Sequence, residues 1–204
     1  MTIAFPPGFF DRADDGPDPA FYGPPRLVTH IDDAAIAALG GHYSDLGVTG
    51  DVLDLMSSWV SHLHERPRHL TVLGMNAAEL ARNAAAHLRV VGDLNRTPVL
   101  PFADGSFDDV ICCVSVDYLT QPVEVFVEVA RVLRPGGRFV VSISNRCFPT
   151  KAIRGWLATD DRGHVEIVRA YFTASGVFGP VTVEPLAPTP GRRGDLLVAL
   201  HAIA

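Results

Sequence analysis

An aspartate stands inside an apolar run in the stretch Asp51–His62, DVLDLMSSWVSH. Burying the carboxylate of Asp54 between Leu53 and Leu55 is costly unless something is bound to it, so the position signals a ligand site. Ser57 and Ser58 follow at once. Their hydroxyls can cap a helix and leave backbone N–H groups pointing forward, an arrangement suited to a carboxylate or phosphate. The spacing therefore predicts a strand, a tight loop and a helix around a ligand, or, on the plainer reading, an ordinary capped turn. Other polar residues stand at the ends of apolar runs: Asp93 after Arg89–Gly92, Asp117 and Tyr118 with Asp108–Val116, and Asn145, Arg146 and Cys147 after Arg138–Ser144. His62, His64 and His69 lack an acidic or thiol partner in ligand spacing, so no metal site is expected from them.

The elements that must position these residues follow from punctuation and periodicity. The first 30 residues form an arm, since Pro6, Pro7, Pro17, Pro19, Pro24 and Pro25 bar a long helix or a central strand. Its Phe5, Phe9, Phe10, Phe21 and Tyr22 are too many aromatics for a disordered tail, so the arm is expected to pack back on the domain of residues 31–204, as a surface wrap or over a ligand. Thr29 or Asp32 can cap a helix reaching about Leu46. Leu70–Met75 is a second strand, with a helix expected over AAELARNAAAHL, and Arg89–Gly92 and Asp108–Val116 are the third and fourth. Pro122 starts an amphipathic helix that Arg134-Pro135-Gly136-Gly137 stops before the strand Arg138–Ser144. Helical stretches are expected over Lys151–Ala158 and over Gly163–Ser175, the latter closed by Gly176, and strands 180–186 and 196–203 form a terminal hairpin joined by 188–195. Alternating strands and helices of this kind specify an α/β fold: a Rossmann-like, doubly wound, mostly parallel seven-stranded sheet ending in an antiparallel hairpin.

Composition narrows the partners. The chain has 204 residues, 48% of them hydrophobic, enough for one well-buried domain. A formal net charge of −6 without a lysine or arginine cluster argues against nucleic acid and leaves small molecules as the default. No apolar run approaches the ~20 residues of a membrane span. Three cysteines give no disulfide framework, and the start MTIAFPPGFF lacks the basic region of a signal peptide, so a cytoplasmic location is expected.

Two longer runs carry a resemblance. LPFADGSFDDV at Leu100–Val110 and VARVLRPGGRFVVS at Val129–Ser142 resemble the class I S-adenosylmethionine-dependent methyltransferases, in the small-molecule methyltransferase type 11 branch, and the likeness covers roughly residues 50–204. It implies S-adenosyl-L-methionine as cofactor and a small-molecule methyl acceptor. On that likeness Asp54 holds the methionine amino group, and Met56, Ser57, Ser58 and Trp59 wrap the amino-acid end. Gly74, Met75 and Asn76 lie at the ribose, with Asn76 where the family usually has an acid. Asp93, Leu94 and Asn95 hold the adenine, and Val114 lines the same site. Where family members have a glycine-rich loop, this chain has Met56, Ser58 and Val60. On the acceptor side Asp117 is the first candidate for proton acceptor, His30 the second, with Tyr118 beside them; Tyr22, Asn145, Arg146 and Cys147 are candidates to contact the acceptor. The N/D-P-P-Y signature of amino-directed DNA methyltransferases is absent, as is any G-x-G-x-x-G after a strand. The second reading is a domain of this fold that binds without catalysing.

Overall fold

The computed structural model describes residues 4–187 and 195–204. Seven strands form one mixed sheet in the order β3-β2-β1-β4-β5-β7-β6. They are β1 Asp51–Leu55, β2 His69–Gly74, β3 Leu88–Val91, β4 Phe107–Cys113, β5 Leu133–Ser144, β6 Thr182–Ala187 and β7 Leu197–Ile203. The first five are parallel, while β7 runs antiparallel to both β5 and β6. The expected architecture is therefore the observed one, with residues 188–194 of the terminal connection outside the described residues.

The central strands are buried on both faces, which is why they read as continuous apolar runs. On one face Val52, Val72, Ile111 and Val140 pack against Ile31, Ala35, Leu39 and Tyr43 of helix α2 (Asp33–Asp45) and the residues leading into it. On the other face Leu53, Leu55, Val110, Cys112, Phe139 and Val141 meet Val125, Phe126, Val129 and Val132 of α4 (Pro122–Val132) and Val168, Tyr171 and Phe172 of α6 (Asp161–Ser175). Adjacent residues of each strand serve opposite faces, as the pleat requires. Asp32, rather than Thr29, caps α2, its Oδ1 accepting from the Ala35 N–H at 2.8 Å. Gly176 ends α6 in the left-handed conformation, φ 69°.

One expected helix is missing and two are shortened. Residues 56–68, between β1 and β2, contain no helix. The serine hydroxyls that would have capped one are committed elsewhere: Ser57 Oγ donates to Asp54 and Ser58 Oγ to Glu79. Met56 and His62 adopt left-handed backbone, φ 56° and 52°, and Asn83 Nδ2 donates to Ser58 O and Ser61 Oγ, fixing the segment as a loop. After β2, only Ala77–Leu80 (α3) is helical instead of the whole of AAELARNAAAHL. The Arg89 guanidinium donates to the carbonyls of Leu80 and Asn83, satisfying the end of α3 without a further turn. The stretch expected to be helical over Lys151–Ala158 likewise shortens to α5, Arg154–Leu157.

The arm wraps the domain and contains one short helix, α1 (Asp18–Tyr22). Phe5, Phe9 and Phe10 cluster on one another and on Tyr171 of α6. Arg12 forms a β-bridge with Ile153, and its guanidinium pairs with buried Asp18 at 2.8 Å. Lys151, fully buried, reaches Asp14 and Asp18 at 3.0 and 3.1 Å and donates to the carbonyls of Asp14 and Gly16. A buried ammonium satisfied this completely fixes where the arm turns.

Candidate functional site

A cavity of about 410 Å³ opens over the carboxyl ends of β1, β2, β3 and β4, where doubly wound sheets bind their ligands. Asp54, on β1, is 2% exposed and lines it. Burial pushes its carboxyl up to about 6, against the opposing hydrogen bonds of Ser57 and Ser61. Ser57 Oγ donates to Asp54 Oδ2 at 2.5 Å, and the carboxylate retains acceptor capacity toward the cavity.

The loop after β1 lies unusually close to β2. Ser57 N donates to Leu73 O, and a Cβ on Gly74 would overlap the carbonyl oxygen of Ser57, so only glycine lets the two backbones approach this far. Gly74→Ala is expected to push the loop off β2 and cost about 1–3 kcal/mol, measured by urea denaturation; unchanged stability would show that the loop shifts freely. Among the described residues three that are not glycine have positive φ, namely Met56, His62 and Val114, and all three line the cavity. Left-handed backbone costs on the order of 1–3 kcal/mol per residue and gathers at functional sites; for β-branched Val114 it is a marked outlier.

Asn76 lines the cavity, but its side chain is fully used. Oδ1 caps α3 by accepting from the N–H groups of Ala78 and Glu79, and Nδ2 donates to the carbonyls of Tyr22 and Gly23 in the arm. Asn95 is equally committed. Nδ2 donates to Asp18 Oδ2 and Tyr118 O, while Oδ1 accepts from the Thr120 N–H and hydroxyl. Both residues tie the arm to the domain at the edge of the cavity. Asp93 Oδ1 closes a turn by accepting from the N–H groups of Asn95 and Arg96, and Leu94 is buried beside it. Ser58, Trp59 and Met75 complete this side, with Trp59 Nε1 donating to Val28 O of the arm.

At the other end Tyr22, His30, Tyr118, Arg146 and Cys147 all line the cavity. Tyr118 Oη accepts from the Phe148 N–H at 2.9 Å, and Arg146 Nε donates to Asp195 at 2.8 Å. Burial raises the Cys147 thiol. Two expected residues are not part of the lining. Asn145 is exposed to solvent, away from the cavity. Asp117 sits in the 3₁₀ turn Val116–Tyr118, 3% exposed, behind the wall that Tyr118 and Leu119 form. Burial pushes its carboxyl up to about 8, and Oδ2 has no partner among the described residues. This corrects its place as the first candidate for proton acceptor: a turn that carries Tyr118 to the cavity takes the preceding side chain into the protein.

Residues not anticipated from the sequence also line the cavity, among them Glu79, Arg26 and Phe148. Glu79 accepts from the Arg26 N–H and from Ser58 Oγ, both at 2.6 Å. An acid three residues after the helix-capping Asn76 was a readable signal for it; nothing local marked Arg26 or Phe148.

Known proteins agree with this architecture. A family model described as a methyltransferase domain matches residues 45–141. The ubiquinone/menaquinone biosynthesis C-methyltransferase of Paracoccus denitrificans is 34% identical over 107 residues, covering 50% of this chain and 42% of that protein. Its counterpart in Roseobacter denitrificans is 36% identical over 99 residues, 47% of this chain and 38% of that protein. The chain thus matches about two fifths of these relatives' lengths. Among solved structures, an S-adenosylmethionine-dependent methyltransferase from Mesorhizobium loti superposes with TM-score 0.60 at 19% identity, covering 82% of this chain and 98% of that one. A possible histamine N-methyltransferase from Thermotoga maritima gives TM-score 0.60 at 14% identity, over 83% and 88%. The family model and the two sequence runs around β4 and β5 thus mark residues 45–141 as similar to a methyltransferase domain, and the chain has the fold of the solved S-adenosylmethionine-dependent methyltransferases.

Proposed function

We propose that the chain transfers a methyl group from S-adenosyl-L-methionine to a small-molecule acceptor. The observation that carries this is Asp54: a carboxylate buried at the end of the first parallel strand, facing a cavity that spans four strand ends, is suited to an ammonium group. The cavity residues fit the cofactor. Asp54 would take its amino group, Met56, Ser57 and Ser58 its amino-acid end, and Asp93 with Leu94 its adenine. Glu79, beside Asn76, supplies an acid near the position where the family has one.

When bound, the cofactor would supply a methyl already activated on sulfonium. The protein's own part is placement and exclusion of water. Tyr22 of the arm packs on Tyr118 and Phe148, and His30 on Phe148, all four lining the cavity. Of the two histidines in the lining, His30 and His62, it is His30 that lies against Phe148 and can take a proton from an acceptor at that end. The thiols of Cys112, Cys113 and Cys147 are all free, which favours a reducing, cytoplasmic setting.

The loop without a helix after β1 favours one competing reading, a domain that binds the cofactor without turning over. Thermal unfolding with S-adenosylmethionine and S-adenosylhomocysteine tests the cofactor: at about 100 times the dissociation constant a ligand adds ~2.7 kcal/mol, a readily visible upward shift. No shift with either ligand at millimolar concentration would overturn the proposal, and a shift without methyl transfer to any of a broad set of acceptors would favour binding alone.

A further inference from the structure

One stretch of the arm is held differently from the rest. Up to α1 the arm is fixed from inside the protein, where buried Asp18 receives Arg12, Lys151 and Asn95. It is fixed again at Ile31, 3% exposed, and at Asp32, whose N–H donates to Asp195 Oδ2 at 3.0 Å while its Oδ2 accepts from the Asp195 N–H at 2.8 Å. Between these anchors residues 23–30 run over the surface, and every one except Arg26 is exposed. Leu27 and Val28 are 43% and 56% exposed, so burial of apolar side chains contributes little to keeping the stretch in place.

What holds it is a short set of hydrogen bonds to the rim of the cavity. Asn76 Nδ2 donates to the carbonyls of Tyr22 and Gly23 at 2.8 and 2.9 Å, the Arg26 N–H donates to Glu79 Oε1 at 2.6 Å, and Trp59 Nε1 donates to Val28 O at 3.1 Å. The Arg26 guanidinium and the His30 ring add contacts with Phe148, at 5.5 and 5.2 Å from its centroid. Val28, Thr29 and His30 line the cavity and are exposed to solvent as well, which makes the stretch a thin wall between the two. A surface hydrogen bond contributes modestly, because water takes its place when it breaks. A segment anchored firmly at both ends and latched by four such bonds can open locally while the domain stays folded. Its latch partners Trp59, Asn76 and Glu79 also line the cavity, so opening the wall exposes the place where the cofactor would lie.

We infer that residues 23–30 are a gate: the stretch lifts off Trp59, Asn76 and Glu79 to admit the cofactor and latches on them again behind it. This rests on the cofactor reading above. The test is stopped-flow binding of S-adenosylhomocysteine to the full chain, followed by the fluorescence of Trp59, with wild type compared with the double variant Pro24→Gly/Pro25→Gly. Both prolines are exposed and neither lines the cavity, and replacing them by glycine loosens the stretch without touching its latch partners. Association and dissociation should both quicken by about fivefold or more, leaving affinity within about threefold of wild type, because a gate changes passage in both directions alike. Hydrogen exchange on the wild type adds a reading that needs no variant. The Arg26 amide should exchange through local opening, faster than the amides of β4 and β5, and saturating S-adenosylhomocysteine should slow it by about tenfold or more. Unchanged rates in the variant, quicker dissociation alone, or an Arg26 amide as slow as those of β4 and β5 in the ligand-free chain would each overturn the inference. No binding of S-adenosylhomocysteine at all would strike the cofactor reading and the gate with it, whereas the other failures strike the gate alone.

Discussion

Asp54→Ala should weaken S-adenosylhomocysteine binding by about 100-fold or more at pH 7.5, while the chain remains folded. Removing one partner of a buried, hydrogen-bonded charge pair costs roughly 2–5 kcal/mol, and each 1.4 kcal/mol is about tenfold in affinity. The folded state should not suffer, because Asp54 is itself a buried carboxylate whose ionised form burial disfavours. The same property gives binding a pH dependence. Burial holds the Asp54 carboxyl at about 6, so the ionised form that attracts an ammonium is lost as pH falls through that value. Affinity at pH 5 should be about tenfold below that at pH 7.5 for the wild type, and nearly flat over that range for the variant. Calorimetry at the two pH values reads both effects; equal affinity of Asp54→Ala and wild type would remove Asp54 from the cofactor site.

The second large effect is on stability, at Asp117. Its folded carboxyl stands at about 8 against an ordinary value of 3.8. The folded chain therefore holds a proton that the unfolded chain has released, and stability is greatest at low pH and falls as pH rises from about 4 to about 8. Between those two values each pH unit removes about 1.4 kcal/mol, so the loss is on the order of several kcal/mol by pH 8.5. Asp117→Asn has no such proton to lose. Relative to wild type it should gain about 2–5 kcal/mol between pH 5 and pH 8.5, seen as diverging urea midpoints. Parallel stability profiles would mean that Asp117 ionises normally and faces solvent or a cation. Asp54 and Asp117 are both buried carboxylates at neighbouring strand ends, but Asp54 faces the cavity and can be compensated by a ligand, whereas Asp117 faces protein.

The sheet was legible in the sequence because its strands are buried on both sides and so must be short apolar runs bounded by breakers; Leu70–Gly74 and Phe139–Ser144 are of this kind. The cavity's location followed from the same runs, since polar residues at their ends fall on one edge of a parallel sheet. What was not legible lies in side chains that choose distant partners. Ser57 and Ser58 look like helix caps until Asp54 and Glu79 are brought within hydrogen-bond reach. The helix after β2 is cut short by Arg89, which is remote from α3 until β3 pairs with β2. Asn76 and Asn95 carry polar groups suited to a ligand, yet their hydrogen bonds go to an arm more than fifty residues earlier in the chain. The aromatic cluster at the cavity joins Tyr22 to Phe148, and only the tertiary structure puts them together.

The most direct test of the account is a crystal structure of the chain grown with saturating S-adenosylhomocysteine. The ligand is expected in the cavity over the carboxyl ends of β1 to β4, its amino group on Asp54 and its adenine beside Asp93 and Leu94, with Tyr22, Tyr118 and Phe148 at the end where a methyl would emerge. Density for the ligand elsewhere on the chain, or an empty cavity at saturating ligand, would contradict it.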